Sequence, residues 1–380
     1  MTIKTGIERL DTVAGLLHKK SVGLITNHTG VDKTMTSSID LLARKTRLKA
    51  LFAPEHGVRG DKQAGETLAD DIDRRTGCPV HSLYGKTKRP TPRMLEPLDI
   101  LCYDIQDVGA RFYTYIYTML YAMEAAKDTD IPFVVFDRPN PLGGVTVEGT
   151  MLQAAFTSFV GEAPLVQRYA LTIGELAKFF NETRGIGCDL HVVEIEGWHR
   201  EMDALETDMP WIMPSPNLPT PLSAFAYIAT CLLEGTNVSE GRGTTKPFEL
   251  FGAPWLNAHE TIEALRAQSH EGVLLRETVF VPTFSKHAGE PCRGVEMILT
   301  DRKKFRPARF GLALIHTLAD LHTDFLFLPS ATKRGKPMID LLSGDDDLRS
   351  GRLDLEALFA KEADARKTYA SMKARYHLYA

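Results

Sequence analysis

Five short apolar runs mark the first half of the chain: Ser21 to Asn27 (SVGLITN), Leu48 to Pro54 (LKALFAP), Leu98 to Asp104 (LDILCYD), Ile131 to Asp137 (IPFVVFD) and Leu190 to Ile195 (LHVVEI). They are nearly continuous rather than alternating, the pattern of parallel strands buried on both faces. Helical patterns lie between them at Ser37–Thr46, Tyr115–Lys127 and Thr172–Thr183. Strand and helix in alternation predict a doubly wound α/β sheet. The second half reads differently. A helix is expected from Thr220 to Glu234, then a Gly-rich loop to Thr245, strands at Val279–Phe284 and Val295–Thr300, and helices at Ala308–Leu321 and Leu355–Ala374. This is a smaller α+β unit. The division is placed at residues 1–245 for the sheet domain, which carries the catalytic groups, and 246–380 for an auxiliary domain that closes the cleft.

In doubly wound sheets ligands sit beyond the carboxyl ends of the strands. Those ends read Thr26-Asn27-His28-Thr29-Gly30, Pro54-Glu55-His56-Gly57, Asp104-Ile105-Gln106-Asp107-Val108-Gly109-Ala110-Arg111 and Asp137-Arg138-Pro139-Asn140-Pro141. Glu55 follows an apolar strand. A carboxyl group at the base of a cleft can have its pKa raised by desolvation and serve as a general acid near neutral pH. The structural alternative is a loop cap, or an ion pair with Arg59. His56 either orients a substrate or bonds to backbone. Asp104, Asp107, Arg111, Tyr113 and Tyr115 fall within twelve residues. Tyrosine rings suit sugars, and arginine suits a carboxylate through paired hydrogen bonds. Arg111 could equally neutralise one of the two acids, one of which is expected to be structural. Asn140 sits in a rigid turn where it could reach a ligand amide, while Arg138 could simply pair with Asp137.

Composition narrows the classes. The 380 residues are 43% hydrophobic and 25% charged, which is globular. The formal net charge is −4, with no basic stripe, which argues against a nucleic-acid partner. No apolar run is long enough to span a bilayer. The N-terminal segment lacks an apolar export region, which points to the cytoplasm as the chain is written; a native N-terminus trimmed from it would make an extracytoplasmic location possible. Five widely spaced cysteines without C-x-x-C suit reduced thiols. No G-x-G-x-x-G follows a strand, and no H-E-x-x-H or G-x-S-x-G occurs. The segment Glu234 to Lys246, with Asn237, Glu240 and Arg242, is Gly-rich but lacks phosphate-loop spacing. It reads better as a polar loop over a cleft. No metal or organic cofactor is expected.

Longer stretches carry a resemblance. LITNHTGV, FAPEHGVRG, SLYG, YDIQDVGARFYTYIYTM, FDRPNPLGG, LTIGELAKFFN, MPSPNLPTP, CLLEGTNVSEGRGTTKPFELFGAPW, FSKHAGEPCRGV and FRPARFGL occur in that order from about residue 20 to 312. The chain resembles the NamZ-like exo-β-N-acetylmuramidases, glycoside hydrolases long catalogued as a domain of unknown function. The resemblance implies a Rossmann-like N-terminal domain, a smaller C-terminal domain and an active site between them. It implies release of N-acetylmuramic acid from the non-reducing end of peptidoglycan fragments. Glu55, in the P-E-H-G match, is then the general acid beside His56. In an inverting enzyme Asp107 or Glu240 would be the second carboxylate, about 6.5–9.5 Å away; a retaining enzyme would place it about 5 Å away or let the substrate's own acetamide attack. Arg59, Arg111, Arg138 or Arg242 would meet the lactyl carboxylate, and Asn27, Asn140, Asn217 or Asn237 the acetamido group. Asp104, Gln106, Tyr113 and Glu240 complete the substrate contacts. A muropeptide-binding protein without catalysis, and an enzyme of phosphorylated sugars, are the alternatives from other classes.

Overall fold

The computed structural model describes residues 2–54, 57–59, 71–85, 87–333 and 335–380. Seven strands form the larger sheet: β1 (Ser21–Thr26), β2 (Arg47–Ala53), β3 (Asp71–Ile72), β4 (Pro79–Ser82), β5 (Ile100–Asp104), β6 (Phe133–Phe136) and β7 (Leu190–Val193). Their order is β3-β4-β2-β1-β5-β6-β7. All pairings are parallel except the short β3 edge. The chain runs outward from β1 on one side through β2 and returns to β5 on the other. The crevice between the ends of β1 and β5 is therefore the topological switch point, where such sheets bind ligands.

Burial on both faces explains why the sequence runs are continuous. Val22, Leu24, Leu51, Ile100, Cys102 and Val134 face α1 (Ser38–Lys45) and the N-terminal turns. Ile25, Phe52, Leu101, Tyr103 and Val135 face α2 (Tyr115–Asp128) and α3 (Ile173–Thr183). Each such side chain removed from water contributes about 1.5–3 kcal/mol. Local signals agree with the packing. Ser37 caps α1 through Ile39 N, and Thr172 with Glu175 forms a capping box on α3.

The second sheet is antiparallel, in the order β8-β10-β9: β8 (Leu250–Ala253), β9 (Val273–Phe280) and β10 (Cys292–Leu299). The helix α5 (Ala258–Ala267) packs on it, α6 (Pro307–Leu321) packs on both α5 and α4 (Pro221–Thr230), and α7 (Leu355–Lys373) lies against α6. One hydrophobic cluster runs from the large sheet through Phe225 and Leu232 to Phe251, Val295 and Met297, so the two units share a core. Among the described residues no helix is long and apolar enough to cross a membrane.

Two expectations for the second half are corrected. The strand placed at Val279–Phe284 starts six residues earlier and ends at Phe280. Its exposed Leu274 and Val279 blur the alternation that would have located it. The helix drawn to Glu234 ends at Thr230 and continues as a 3-10 turn, Cys231–Gly235. The Thr230 hydroxyl there donates to both Ala226 O and Phe248 O, tying the helix end to the next loop.

Candidate active site

The β1 and β5 ends are stitched together by short polar side chains. Thr26 Oγ1 donates to Asp104 O at 2.7 Å. Asn27 Oδ1 accepts from Thr29 N at 2.9 Å and Thr29 Oγ1 at 2.6 Å, and that hydroxyl in turn accepts from Gln106 N at 2.9 Å. Asn27 Nδ2 is buried and has no partner among the described residues. Gln106 Nε2 donates to Asp107 O and Pro139 O, both at 2.9 Å, which fixes the β5 loop against the β6 loop.

The two acids after β5 have different surroundings. Asp104 is fully buried and holds Arg138 through Nε at 2.5 Å and NH2 at 2.8 Å, with Ser38 Oγ donating to the same carboxylate. Arg138, 2% exposed, also reaches Val31 O. This pair braces two strand ends. Among the described residues Asp107 has no cation partner. Its Oδ2 accepts from Gly109 N at 2.6 Å and from the Tyr169 hydroxyl, while Oδ1 has no partner among the described residues. Desolvation pushes its pKa up to about 6, against the lowering effect of those hydrogen bonds. Gly109 is required here: φ is +80°, and a Cβ would lie 2.4 Å from Asn140 Oδ1. That same oxygen accepts from Leu142 N, and Asn140 Nδ2 donates to Leu171 O, so both ends of the Asn140 amide hold backbone.

Arg111 is fully buried and donates to three carbonyls: Thr150 O at 2.7 Å, Leu165 O at 3.1 Å and Leu342 O at 2.6 Å. Neither acid of its loop is its partner. Desolvation lowers its pKa to about 10. It ties the large sheet's loops to the second unit. Tyr113, 8% exposed, stands edge-on to Tyr115 (4.8 Å) and Tyr227 (6.2 Å), with its hydroxyl unpartnered among the described residues. Tyr115 Oη donates to Pro214 O and His28 Nε2 meets Met213 O at 2.6 Å. The segment 209–217 is thereby strapped across the strand ends and delivers Asn217, 7% exposed. Beside the strap lies a crevice of about 560 Å³, open to solvent, lined by Thr29, Gln106, Arg138 and Trp211.

Glu55 and His56 lie outside the described residues. Arg59, just beyond them, donates through Nε to Asp73 Oδ1 at 2.7 Å, with a third of its side chain exposed. Burial favours the neutral form of Asp73, but the bonds from Arg59 and Thr76 prevail and hold its pKa down to about 2.

The second unit adds a charged cluster. Glu240, 2% exposed, is bound by Arg242 Nε at 3.1 Å and Lys286 Nζ at 2.9 Å. Arg242 also pairs with Glu234 at 2.6 Å and lies over the Phe248 ring. Asn237 holds Asp324 O and Leu326 N. Sequence reasoning missed Tyr169, Lys286, Tyr227 and Asp73. Tyr169 is 62 positions from Asp107, and Lys286 is 46 from Glu240. No local spacing reveals such pairs.

Comparison with known proteins gives a consistent set of matches. The family model described as the N-terminal part of the exo-β-N-acetylmuramidase NamZ matches residues 22–222, and its C-terminal counterpart matches 225–379. A peptidoglycan β-N-acetylmuramidase NamZ of Bacillus subtilis (strain 168) is 51% identical over 352 residues, covering 92% of this chain and 84% of that protein. Two crystal structures of DUF1343 family proteins from Bacteroides fragilis NCTC 9343 superpose over 100% of this chain and 99% of theirs. Their TM-scores are 0.91 and 0.79, at 39% and 28% identity.

Proposed function

The chain belongs to the NamZ family of exo-β-N-acetylmuramidases, and from that premise we propose how its cleft works. It is a glycoside hydrolase that removes N-acetylmuramic acid from the non-reducing end of peptidoglycan fragments in cell-wall turnover. The observation that carries this is the match to both family models, with the 51% identical relative spanning most of the chain.

In our reading Glu55 protonates the leaving oxygen and His56 orients it. Asp107 is the second carboxyl group, facing the reacting carbon directly or across a water. Its uncommitted Oδ1 and its pKa of about 6 support this, because a base must be free to accept a proton near neutral pH. Among the described residues, buried polar atoms near the β1 and β5 ends that lack partners include Asn27 Nδ2, His28 Nδ1, Asp107 Oδ1 and Tyr113 Oη. Buried polar atoms without partners are costly, so a hydroxyl- and amide-rich ligand suits this floor. Of the four candidate arginines, Arg111 and Arg138 are enclosed. Arg59 keeps an exposed guanidinium beside the P-E-H-G segment, and we assign it the lactyl carboxylate. Residues 1–245 carry these groups and residues 246–380 close the cleft. The five cysteines are buried and unpaired, which supports action in a reducing compartment, the cytoplasm.

The test is release of N-acetylmuramic acid from N-acetylmuramyl-β-1,4-N-acetylglucosamine, against the same linkage ending in N-acetylglucosamine. Efficient cleavage of the first, only slight cleavage of the second, and loss of at least a hundredfold in Glu55→Gln are expected. A folded protein that binds the disaccharide without cleaving it would overturn the reading.

A further inference from the structure

The hairpin between β9 and β10 holds an aromatic side chain in solvent. Phe284 is 52% exposed. A single exposed ring is ordinary, but here the backbone beneath it is held in uncommon conformations. Ser285 (φ 71°) and His287 (φ 56°) are both left-handed without being glycine. Such conformations persist when surrounding bonds enforce them, and they gather at functional sites. The enforcing bonds run to one neighbour, the 233–243 segment. Lys286 Nζ donates to Leu233 O at 2.6 Å, Val238 O at 2.9 Å and Glu240 at 2.9 Å. Thr283 donates to Gly243 O through both N and Oγ1, and His287 Nε2 meets Asn237 O at 2.7 Å. Gly243 itself has φ +81°, and a Cβ there would come within 2.6 Å of Phe284 O.

These contacts set the backbone of Phe284 against Gly243, the residue after Arg242. The guanidinium of Arg242 is bound at Nε and NH2 by Glu240 and Glu234, which leaves its outer edge available, with 23% of the side chain exposed. A chain of ring contacts leads inward: Arg242 over Phe248 (4.9 Å), Phe248 to Tyr227 (4.7 Å), Tyr227 to Phe112 (5.0 Å) and Tyr113 (6.2 Å). The Arg242 side chain is thus joined through packed rings to Phe112 and Tyr113 of the loop after β5.

We propose that Phe284 and the outer edge of Arg242 form a subsite for the sugar on the leaving side of the cut, an N-acetylhexosamine ring that lies across Phe284 with a hydroxyl or acetamido oxygen on Arg242. The inference rests on the muramidase reading. An enzyme that removes one terminal unit encloses that unit and leaves the rest of the fragment outside. A rigidly held, half-exposed ring with an adjacent cation matches the outer sugar, which offers a C–H face and polar oxygens. Glu240 and Lys286 then act as positioning residues that hold Arg242 and the hairpin.

The experiment compares two substrates of the full chain: the disaccharide N-acetylmuramyl-β-1,4-N-acetylglucosamine, and β-N-acetylmuramyl fluoride, whose leaving group is a single ion. Phe284→Ala should lose about tenfold in kcat/KM on the disaccharide, the scale of one aromatic contact, and stay at the wild-type value on the fluoride. Inhibition by free N-acetylglucosamine should weaken to the same degree, and Phe284→Trp should retain both. Val279→Ala, on the exposed end of the same hairpin, should leave both substrates unaffected. Equal losses on the two substrates, no loss on either, or the same selective loss in Val279→Ala overturn the subsite. Wild-type protein that cleaves neither substrate overturns the muramidase reading itself, and the subsite with it.

Discussion

Tyr169 donates its phenolic hydrogen to Asp107 Oδ2, and the other oxygen of that carboxyl has no partner among the described residues. The side chain is therefore held by one oxygen and presented by the other. The titratable groups coupled to it among the described residues are the tyrosines Tyr103, Tyr113, Tyr117 and Tyr169. Burial dominates, and the carboxyl group titrates near 6.

Two consequences have a definite sign. The folded pKa lies above the ordinary value, so the folded state holds the proton more tightly. The stability this gives is complete below about pH 4 and is lost as pH rises through 6, on the order of 3 kcal/mol for a two-unit shift. Asp107→Asn keeps the shape and has no charge to bury, so its melting temperature should gain on the wild type across that window. In catalysis a base is active only when deprotonated, so the acid limb of kcat/KM should fall near pH 6. Tyr169→Phe removes a bond that favours the charged form and should move that limb up by about one unit. A limb that stays in place in folded Tyr169→Phe protein would exclude Asp107 as the titrating group.

Arg111 carries a different expectation. Its partners are three carbonyls, one of them Leu342 O from the second unit, and no carboxylate touches it. Arg111→Leu removes the cation and leaves those carbonyls unpaired in the interior. A loss of about 3–5 kcal/mol in denaturant unfolding is expected. Protein that remains folded should show an unchanged KM for the disaccharide. A raised KM with normal stability would return Arg111 to the substrate.

How far the sequence could reach is visible in particular elements. The strand ends at Asn27, Asp104 and Asp137 were legible, because runs such as LDILCYD are buried on both faces and stop where polar residues begin. The short strand LFGA at Leu250–Ala253 was not, since four apolar residues between turns fit many structures. The helix Ala258–Ala267 was missed although Asn257 caps it through Glu260 N, because its apolar positions are few. At the site, residue types could be read and partners could not. Asp104 and Asp107 look alike in sequence. Arg138, 34 positions from Asp104, and Tyr169, 62 from Asp107, make them different, and both pairings are consequences of strand order.

Arg59 provides the test of sugar discrimination. N-acetylmuramic acid differs from N-acetylglucosamine by a lactyl carboxylate, so a site that prefers the former needs a cation, and a planar guanidinium can grip both oxygens. Asp73 holds only Nε of Arg59 at short range, with Asp40 farther away at 3.9 Å from NH2. A carboxylate arriving on the exposed side therefore meets N–H groups that no other described residue holds at short range. Arg59→Ala should lower kcat/KM on the N-acetylmuramic-acid-ended disaccharide about thirtyfold, the scale of a charge-assisted pair, with a modest fall in melting temperature because the buried Asp73 carboxylate loses a partner. The small activity on the N-acetylglucosamine-ended analogue should not fall, so the ratio between the two substrates should collapse. Asp73→Asn should give a partial form of the same loss, because the guanidinium would stay charged but be held less firmly. A ratio unchanged in Arg59→Ala would assign the lactyl group to a different cation and leave Arg59 as the partner of Asp73 alone.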